Sequence, residues 1–133
     1  YEQREVPPHF AWHLVQSNQA VLVDVRSGEE RAFVGYVPGS AHVPWATGTA
    51  LTRNPRFIRE LEAKLASHGG KNALAFLLCR SGKRSALALD AATAAGFTQL
   101  FHVVEGFEGD LNDRQQRGTH NGWRFHQLPW VQD

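Results

Sequence analysis

Apolar residues along the chain fall into two kinds of segment. Short continuous runs, Ala20 to Val25, Ala73 to Leu78 and Gln99 to Val104, have the length and density of strands buried on both faces. Between them lie longer stretches with apolar residues at helical spacing. A first helix is predicted after Pro7-Pro8, with Phe10, Trp12 and Leu14 as its contacts, ending before Asn18. Ser27 with Glu30 three residues on is a capping-box pattern that opens a short helix to Val34. Pro38-Gly39 marks a turn, and Ala41 to Val43 a brief strand. Asn54-Pro55, with Asn as cap and Pro at the first position, opens a helix through about Ser67, where Phe57, Ile58, Leu61 and Leu65 recur on one side and Gly69-Gly70 terminates it. Arg84 to Ala95, rich in Ala and Leu, is a further helix that Gly96 ends. Alternating strands and helices predict an α/β fold with a parallel sheet.

From about Glu108 the pattern fades into a polar, Gly-rich stretch, read as a short helix followed by an irregular tail over about 108–133. Trp123 and Trp130 are expected to anchor that tail by burying large rings rather than to wall a substrate site. At 133 residues the chain fits one compact domain, with no repeat or low-complexity segment.

Charge narrows the functional classes. With 14 Lys plus Arg against 13 Asp plus Glu, no global field points to nucleic acid or an anionic membrane, so neither is expected as a partner. The longest apolar run is far too short to span a bilayer, and residues Tyr1 to Glu5 lack a signal-peptide pattern. One cysteine leaves no internal disulfide and fits a reducing compartment, so the expected location is cytoplasmic. Among seven histidines, His9 and His13 are four apart and His120 and His126 lie in the tail, but no Cys or carboxylate partner completes a metal set.

The cysteine is where the chemistry concentrates. Cys79 follows the strand Ala73 to Leu78 and precedes the helix beginning at Arg84, so Cys79 to Arg84 must form a loop at the carboxyl end of a strand, where open α/β sheets bind ligands. Gly82 lets the backbone curl, successive N–H groups can turn inward, and the helix dipole presents its positive end to the same point. Arg80, Lys83 and Arg84 add three cations within five residues. All of these favour a thiolate over a thiol. A lone cysteine after a strand commonly serves as a small buried hydrophobe, but such a role has no use for a Gly-containing loop and three cations.

Three segments in this order resemble the rhodanese-like sulfurtransferases: Val21-Leu22-Val23-Asp24-Val25-Arg26, Gly35-Tyr36-Val37-Pro38-Gly39-Ser40-Ala41-His42-Val43-Pro44, and Cys79-Arg80-Ser81-Gly82-Lys83-Arg84-Ser85. The ending through Leu128-Pro129-Trp130 is similar to the tail of single-domain rhodaneses. The resemblance implies a three-layer α/β/α fold around a central five-stranded parallel sheet. It also implies a reaction in which Cys79 takes a sulfane sulfur from thiosulfate, a persulfide or a polysulfide, becomes a persulfide, and passes the sulfur to cyanide or a thiol, a protein thiol included. No cofactor is implied. Tyr36, where the family often has His, and Val104-Glu105-Gly106-Phe107, where many members have a Gly-Gly pair, depart from the pattern outside the loop.

Within that reading Cys79 is the nucleophile, and Arg80, Ser81, Gly82, Lys83, Arg84 and Ser85 bind the substrate through backbone N–H groups and cationic side chains. Ser81 and Ser85 either hydrogen-bond the sulfur or cap the helix, and Arg84 either points inward or pairs with a carboxylate. Asp24 and Arg26, at the end of strand Ala20 to Val25, support the loop from behind, Arg26 paired to Glu29 or Glu30, or else form a local ion pair at the turn. His42 is a candidate to border the site. Phosphatases and arsenate reductases of the same architecture separate their cysteine and arginine by five residues, whereas Cys79 and Arg84 are separated by four. With no carboxylic acid in the loop to protonate a leaving alcohol, phosphoryl chemistry is the weaker alternative. A non-catalytic module that senses sulfane sulfur or binds a partner is the other.

Overall fold

The computed structural model of the protein describes residues 4–48 and 50–132. Five strands build the central sheet: β1 (Glu5–Val6), β2 (Val21–Asp24), β3 (Ala41–His42), β6 (Ala75–Leu78) and β7 (Leu100–Val103). They run parallel in the order β1-β7-β6-β2-β3, with β6 at the centre. Parallel strands need helical crossovers, and these are α1 (Pro8–Gln16), α2 (Gly28–Val34), α3 (Phe57–Leu65) and α4 (Lys83–Ala94). A separate antiparallel pair, β4 (Ala46–Thr47) with β5 (Thr52–Arg53), lies between β3 and α3.

The pleat divides the core in two. Val23, Val25, Ala75 and Leu77 project to one face, onto Phe57, Leu61 and Leu65 of α3 and Ala88, Leu89 and Ala92 of α4. Leu22, Phe76, Leu78 and Val103 project to the other, onto Ala11 of α1 and onto Phe107, Trp123 and Leu128 from the chain beyond β7. The expected three-layer arrangement with a five-stranded parallel sheet is thus present.

Local chemistry explains most element ends. The Ser27 capping box forms in both directions, Ser27 Oγ accepting from the Glu30 N–H and the Glu30 carboxylate accepting from the Ser27 N–H. Asn54 does not cap α3 directly. Its Oδ1 accepts from the Arg56 N–H while its amide donates to the Pro44 carbonyl and to Glu60, a turn that delays the helix to Phe57. The helix ends at Leu65 and gives way to a 3-10 turn over Ala66–His68 before Gly69, whose φ of 111° closes it.

Two strand features depart from the expectation. β1 precedes the first helix, and the β4–β5 hairpin lies between the expected strand Ala41 to Val43 and the expected helix from Asn54-Pro55; both are only two residues per strand, too short to leave an alternating pattern. Beyond β7 the described residues form turns and no helix, so the short helix expected there is absent. The tail is held instead by backbone pairing: the Trp123 N–H donates to the Gly106 carbonyl, Tyr36 and Val131 exchange hydrogen bonds, and Trp123 Nε1–H donates to the Pro129 carbonyl. Trp123 is fully buried, whereas Trp130 stays partly exposed against Gly35 and Phe107. No helix among the described residues is long and apolar enough to cross a membrane.

Candidate active site

Cys79 sits one residue past the end of the central strand β6, with its side chain on the α4 face and only 1% exposed. Gly82, at φ 105°, turns the loop into the first residue of α4 in a left-handed conformation that favours glycine. The curl aims two backbone donors at the sulfur: the Gly82 N–H at 3.1 Å and the Ser85 N–H at 3.2 Å from Sγ. Of the N–H groups from Arg80 to Ser85, these two reach the sulfur. The Ser85 side chain faces it as well, Oγ lying 3.4 Å from Sγ, 3.2 Å from the Gly82 carbonyl, and 3.2 Å from His102 Nδ1. Of the two roles expected for Ser85, the sulfur contact is the one found: toward the Gly82 carbonyl its hydroxyl can act only as donor, and no side chain caps the start of α4 among the described residues.

The mouth is a pocket of about 230 Å³ lined by Cys79, Arg80, Ser81, Lys83, Arg84, Leu51 and Arg117. Arg80 Nε is buried without a hydrogen-bond partner among the described residues. Lys83 is exposed and Ser81 half-buried at the rim. Leu51, from the β4–β5 turn, and Arg117, from the tail, are far from the loop in sequence and were not among the expected site residues. Arg117 is fixed by donating to the Gly109 carbonyl at 2.7 Å.

Arg84 does not point into the loop. Its guanidinium donates through both terminal nitrogens to Glu30, each contact 2.7 Å, tying the start of α4 to the first turn of α2. Burial alone would raise the Glu30 carboxyl, but the Arg84 hydrogen bonds and charge together with the Ser27 N–H outweigh it and hold the group at about 2. Arg84 is correspondingly raised, first by the Glu30 hydrogen bonds.

Asp24 and Arg26 are fully buried but are not where they would orient the loop directly. Arg26 pairs with Asp24 rather than with Glu29 or Glu30: its Nε and Nη2 contact the carboxylate at 3.0 and 2.8 Å, and Nη2 also donates to the Gly35 carbonyl. Arg31 joins the same carboxylate at 3.1 Å. Among the described residues Arg26 Nη1 has no hydrogen-bond partner, and the guanidinium lies over the Phe107 ring, 4.2 Å from its centroid. The local ion pair is thus the geometry found, and it reaches the loop through Phe107, whose N–H donates to the Cys79 carbonyl at 2.7 Å. His42 does not border the cysteine pocket; its ring bonds the Arg26 carbonyl, and it lines two other concavities.

The segment after β7 straps the loop down. Besides the Phe107 contact, the Glu108 and Gly109 N–H groups donate to the Arg80 carbonyl. Gly106, at φ 69°, passes so close that a Cβ there would stand 2.5 Å from the Arg80 carbonyl and the Ser81 nitrogen. The sequence offered one signal for this approach, a single Gly where the family often has two. His102 and Glu5 left a fainter one: a histidine amid the apolar run of β7, and an acidic residue in a strand too short to recognise. His102 Nε2 lies 3.6 Å from Glu5 Oε2, so Sγ, Ser85, His102 and Glu5 form a continuous line from the buried sulfur to the outer strand. Among the described residues no group of three or more metal-ligating side chains gathers.

Comparison with known proteins agrees with this geometry. The family model for the Rhodanese-like domain matches residues 8–113. The crystal structure of Rv0390 from M. tuberculosis superposes with a TM-score of 0.80 at 38% identity, covering 97% of each chain. An uncharacterized protein of Rickettsia rickettsii, the RP600 homolog, is 31% identical over 123 residues, 88% of this chain and 87% of its own. The thiosulfate sulfurtransferase/rhodanese-like domain-containing protein 3 of Mus musculus is 31% identical over 96 residues, 71% of this chain and 60% of its own. A parallel sheet whose central strand delivers a lone cysteine into a glycine-turned loop, and a family match running from α1 past that loop and its strap, place the chain in the rhodanese-like domain family.

Proposed function

We propose that the protein is a sulfurtransferase in which Cys79 carries the sulfur. The observation that supports this best is the convergence of the Gly82 and Ser85 N–H groups on Sγ at the base of a pocket bearing Arg80, Lys83 and Arg117. The Cys79 thiolate attacks the outer sulfur of thiosulfate, the donor's S–S bond breaks, and sulfite leaves with the bonding pair. The resulting persulfide anion gives its outer sulfur to cyanide or to a thiolate, and the Cys79 thiolate is regenerated. The N–H pair stabilises negative charge on sulfur at each stage, and the cations attract the anionic donor. Persulfide and polysulfide donors present a similar terminal sulfur, and a protein thiol is a further acceptor. No cofactor enters the scheme.

The residues of this site are assigned as follows: Cys79 as nucleophile, the Arg80 to Ser85 loop as the binder of the transferred sulfur and its donor, and Asp24 with Arg26 as a support acting through Phe107. The whole of residues 1–133 is taken as one functional domain, since the tail beyond about 108 supplies Arg117 to the pocket and Trp123 to the core. Phosphoryl or arsenate transfer is disfavoured because the arginine that would clamp a tetrahedral oxyanion, Arg84, is engaged by Glu30.

Incubation with thiosulfate should add one sulfur atom to the intact mass, measured without reductant. Cyanide should then remove it as thiocyanate, and Cys79→Ser should show neither. No gain with thiosulfate or polysulfide, alongside aryl phosphate or arsenate turnover, would overturn the reading in favour of oxyanion chemistry. Silence in every assay would overturn it in favour of a non-catalytic module.

A further inference from the structure

We propose that His102, acting through the Ser85 hydroxyl, takes the proton of the Cys79 thiol and so serves as the positioning residue that makes the thiolate available. This rests on Cys79 being the nucleophile of the proposed sulfur transfer, and adds how its proton leaves. Cys79 is 1% exposed and His102 6%, so the side chain between them is the short route for the exchange. The hydroxyl between them has one proton and three neighbours: Sγ, the Gly82 carbonyl and His102 Nδ1. With the thiol intact, S–H donates to Oγ and O–H to Nδ1. Ionisation passes the S–H proton to Oγ while the O–H proton moves to Nδ1. One S–H bond is lost and one N–H bond gained, leaving a thiolate that accepts from Ser85 and an imidazolium whose Nε2–H faces Glu5.

The groups that face His102 fit this exchange. Glu5 on β1 stands 3.6 Å from Nε2, and Asp90 on α4 adds a second negative charge, so both favour the imidazolium. Burial acts against them and is the larger effect, holding His102 below the ordinary histidine range. The ring is therefore neutral at neutral pH, the state in which Nδ1 can accept a proton.

The test is the rate of Cys79 alkylation by iodoacetamide against pH, which reads thiol ionisation whether or not the protein transfers sulfur. His102→Asn keeps a polar group toward Ser85 but cannot hold the proton. It is expected to move the half-maximal pH upward by about one unit, ~10-fold slower alkylation near neutrality. Glu5→Gln should move it in the same direction by less. Circular dichroism and thermal melting verify that the variants fold.

Should His102→Asn not fold, the His102 ring is titrated by NMR in the wild type and in Cys79→Ser. The neighbouring thiolate is expected to raise the imidazole midpoint in the wild type relative to the serine protein. Identical alkylation profiles in wild type and a folded His102→Asn, or identical His102 titrations with and without the sulfur, would overturn the proposal. A wild type that alkylates as expected but gains no sulfur from thiosulfate or polysulfide would instead count against the transferase reading alone.

Discussion

Arg84 and Glu30, distant in sequence, meet in a two-point ion pair with both contacts at 2.7 Å. Glu30 also closes the capping box of α2 through the Ser27 N–H and hydroxyl. One carboxylate thus joins the first turn of α2 to the first turn of α4, the helix that presents its N–H groups to Cys79. Glu30→Gln should cost about 2 kcal/mol of stability at pH 7, because it leaves a largely buried guanidinium without its counter-charge. Urea unfolding of the two proteins measures it.

The same pair sets an acid limit. Glu30 is held at about 2, against 4.5 for the free carboxyl, so its depressed value stabilises the fold fully above roughly pH 4.5. That contribution, up to about 3 kcal/mol, fades as pH falls from 4.5 toward 2. Denaturant midpoints between pH 6 and pH 2.5 should fall more steeply for wild type than for Glu30→Gln. Parallel slopes would mean that the carboxylate does not carry the acid sensitivity.

Gly106→Ala should damage the site by pressing on the backbone of the loop rather than by removing any side chain of the pocket. The added Cβ would meet the Arg80 carbonyl and Ser81 nitrogen at 2.5 Å, and the φ of 69° is itself unfavourable for alanine. A loss of at least about 2 kcal/mol is expected, together with slower sulfur loading of Cys79, since the loop must shift to admit the methyl group. Unfolding and intact-mass kinetics check both.

Lys83, from the start of α4, and Arg117, from the tail, both border the pocket. Replacing either with alanine should reduce kcat/KM for thiosulfate several-fold at low salt, with the difference shrinking as ionic strength approaches 1 M. Arg117→Ala also removes a hydrogen bond to the Gly109 carbonyl, so its effect should include a small salt-independent part. A salt-independent loss in both variants would argue that neither acts by attracting the donor.

What could be read from the chain follows from how local the cause is. Cys79, Gly82 and the start of α4 are a contiguous run, and the apolar density of β6 with the helix propensity of Arg84 to Ala95 locates them without tertiary information. Ser27 and Glu30 were legible as a capping box for the same reason. The partner of Arg26 was not. Asp24, Glu29 and Glu30 all lie within four residues of Arg26, and the geometry of β2 running into the turn before α2 is what brings Asp24 onto the guanidinium. Arg117, Leu51, Glu5 and His102 arrive through long-range packing, and the first three sit in segments too short or too irregular to carry a periodic signal. The tail followed the same rule: its aromatic anchors were recognisable by type, but its backbone takes turns, pairing with Gly106, Phe107 and Tyr36 as well as with itself over short spans.

Trp123 lies beyond residue 113, where the family-model match ends, and yet it is fully buried in a cluster built mostly of side chains from inside that match. The stretch that fills the interior therefore extends past the stretch that the family model matches. The cysteine loop and its sheet lie inside that match, while the plug that seals one side of the sheet is supplied from beyond it. Trimming the protein to its recognisable portion would leave a socket the size of an indole beneath β2 and β6, next to the strap that holds the reactive sulfur in place.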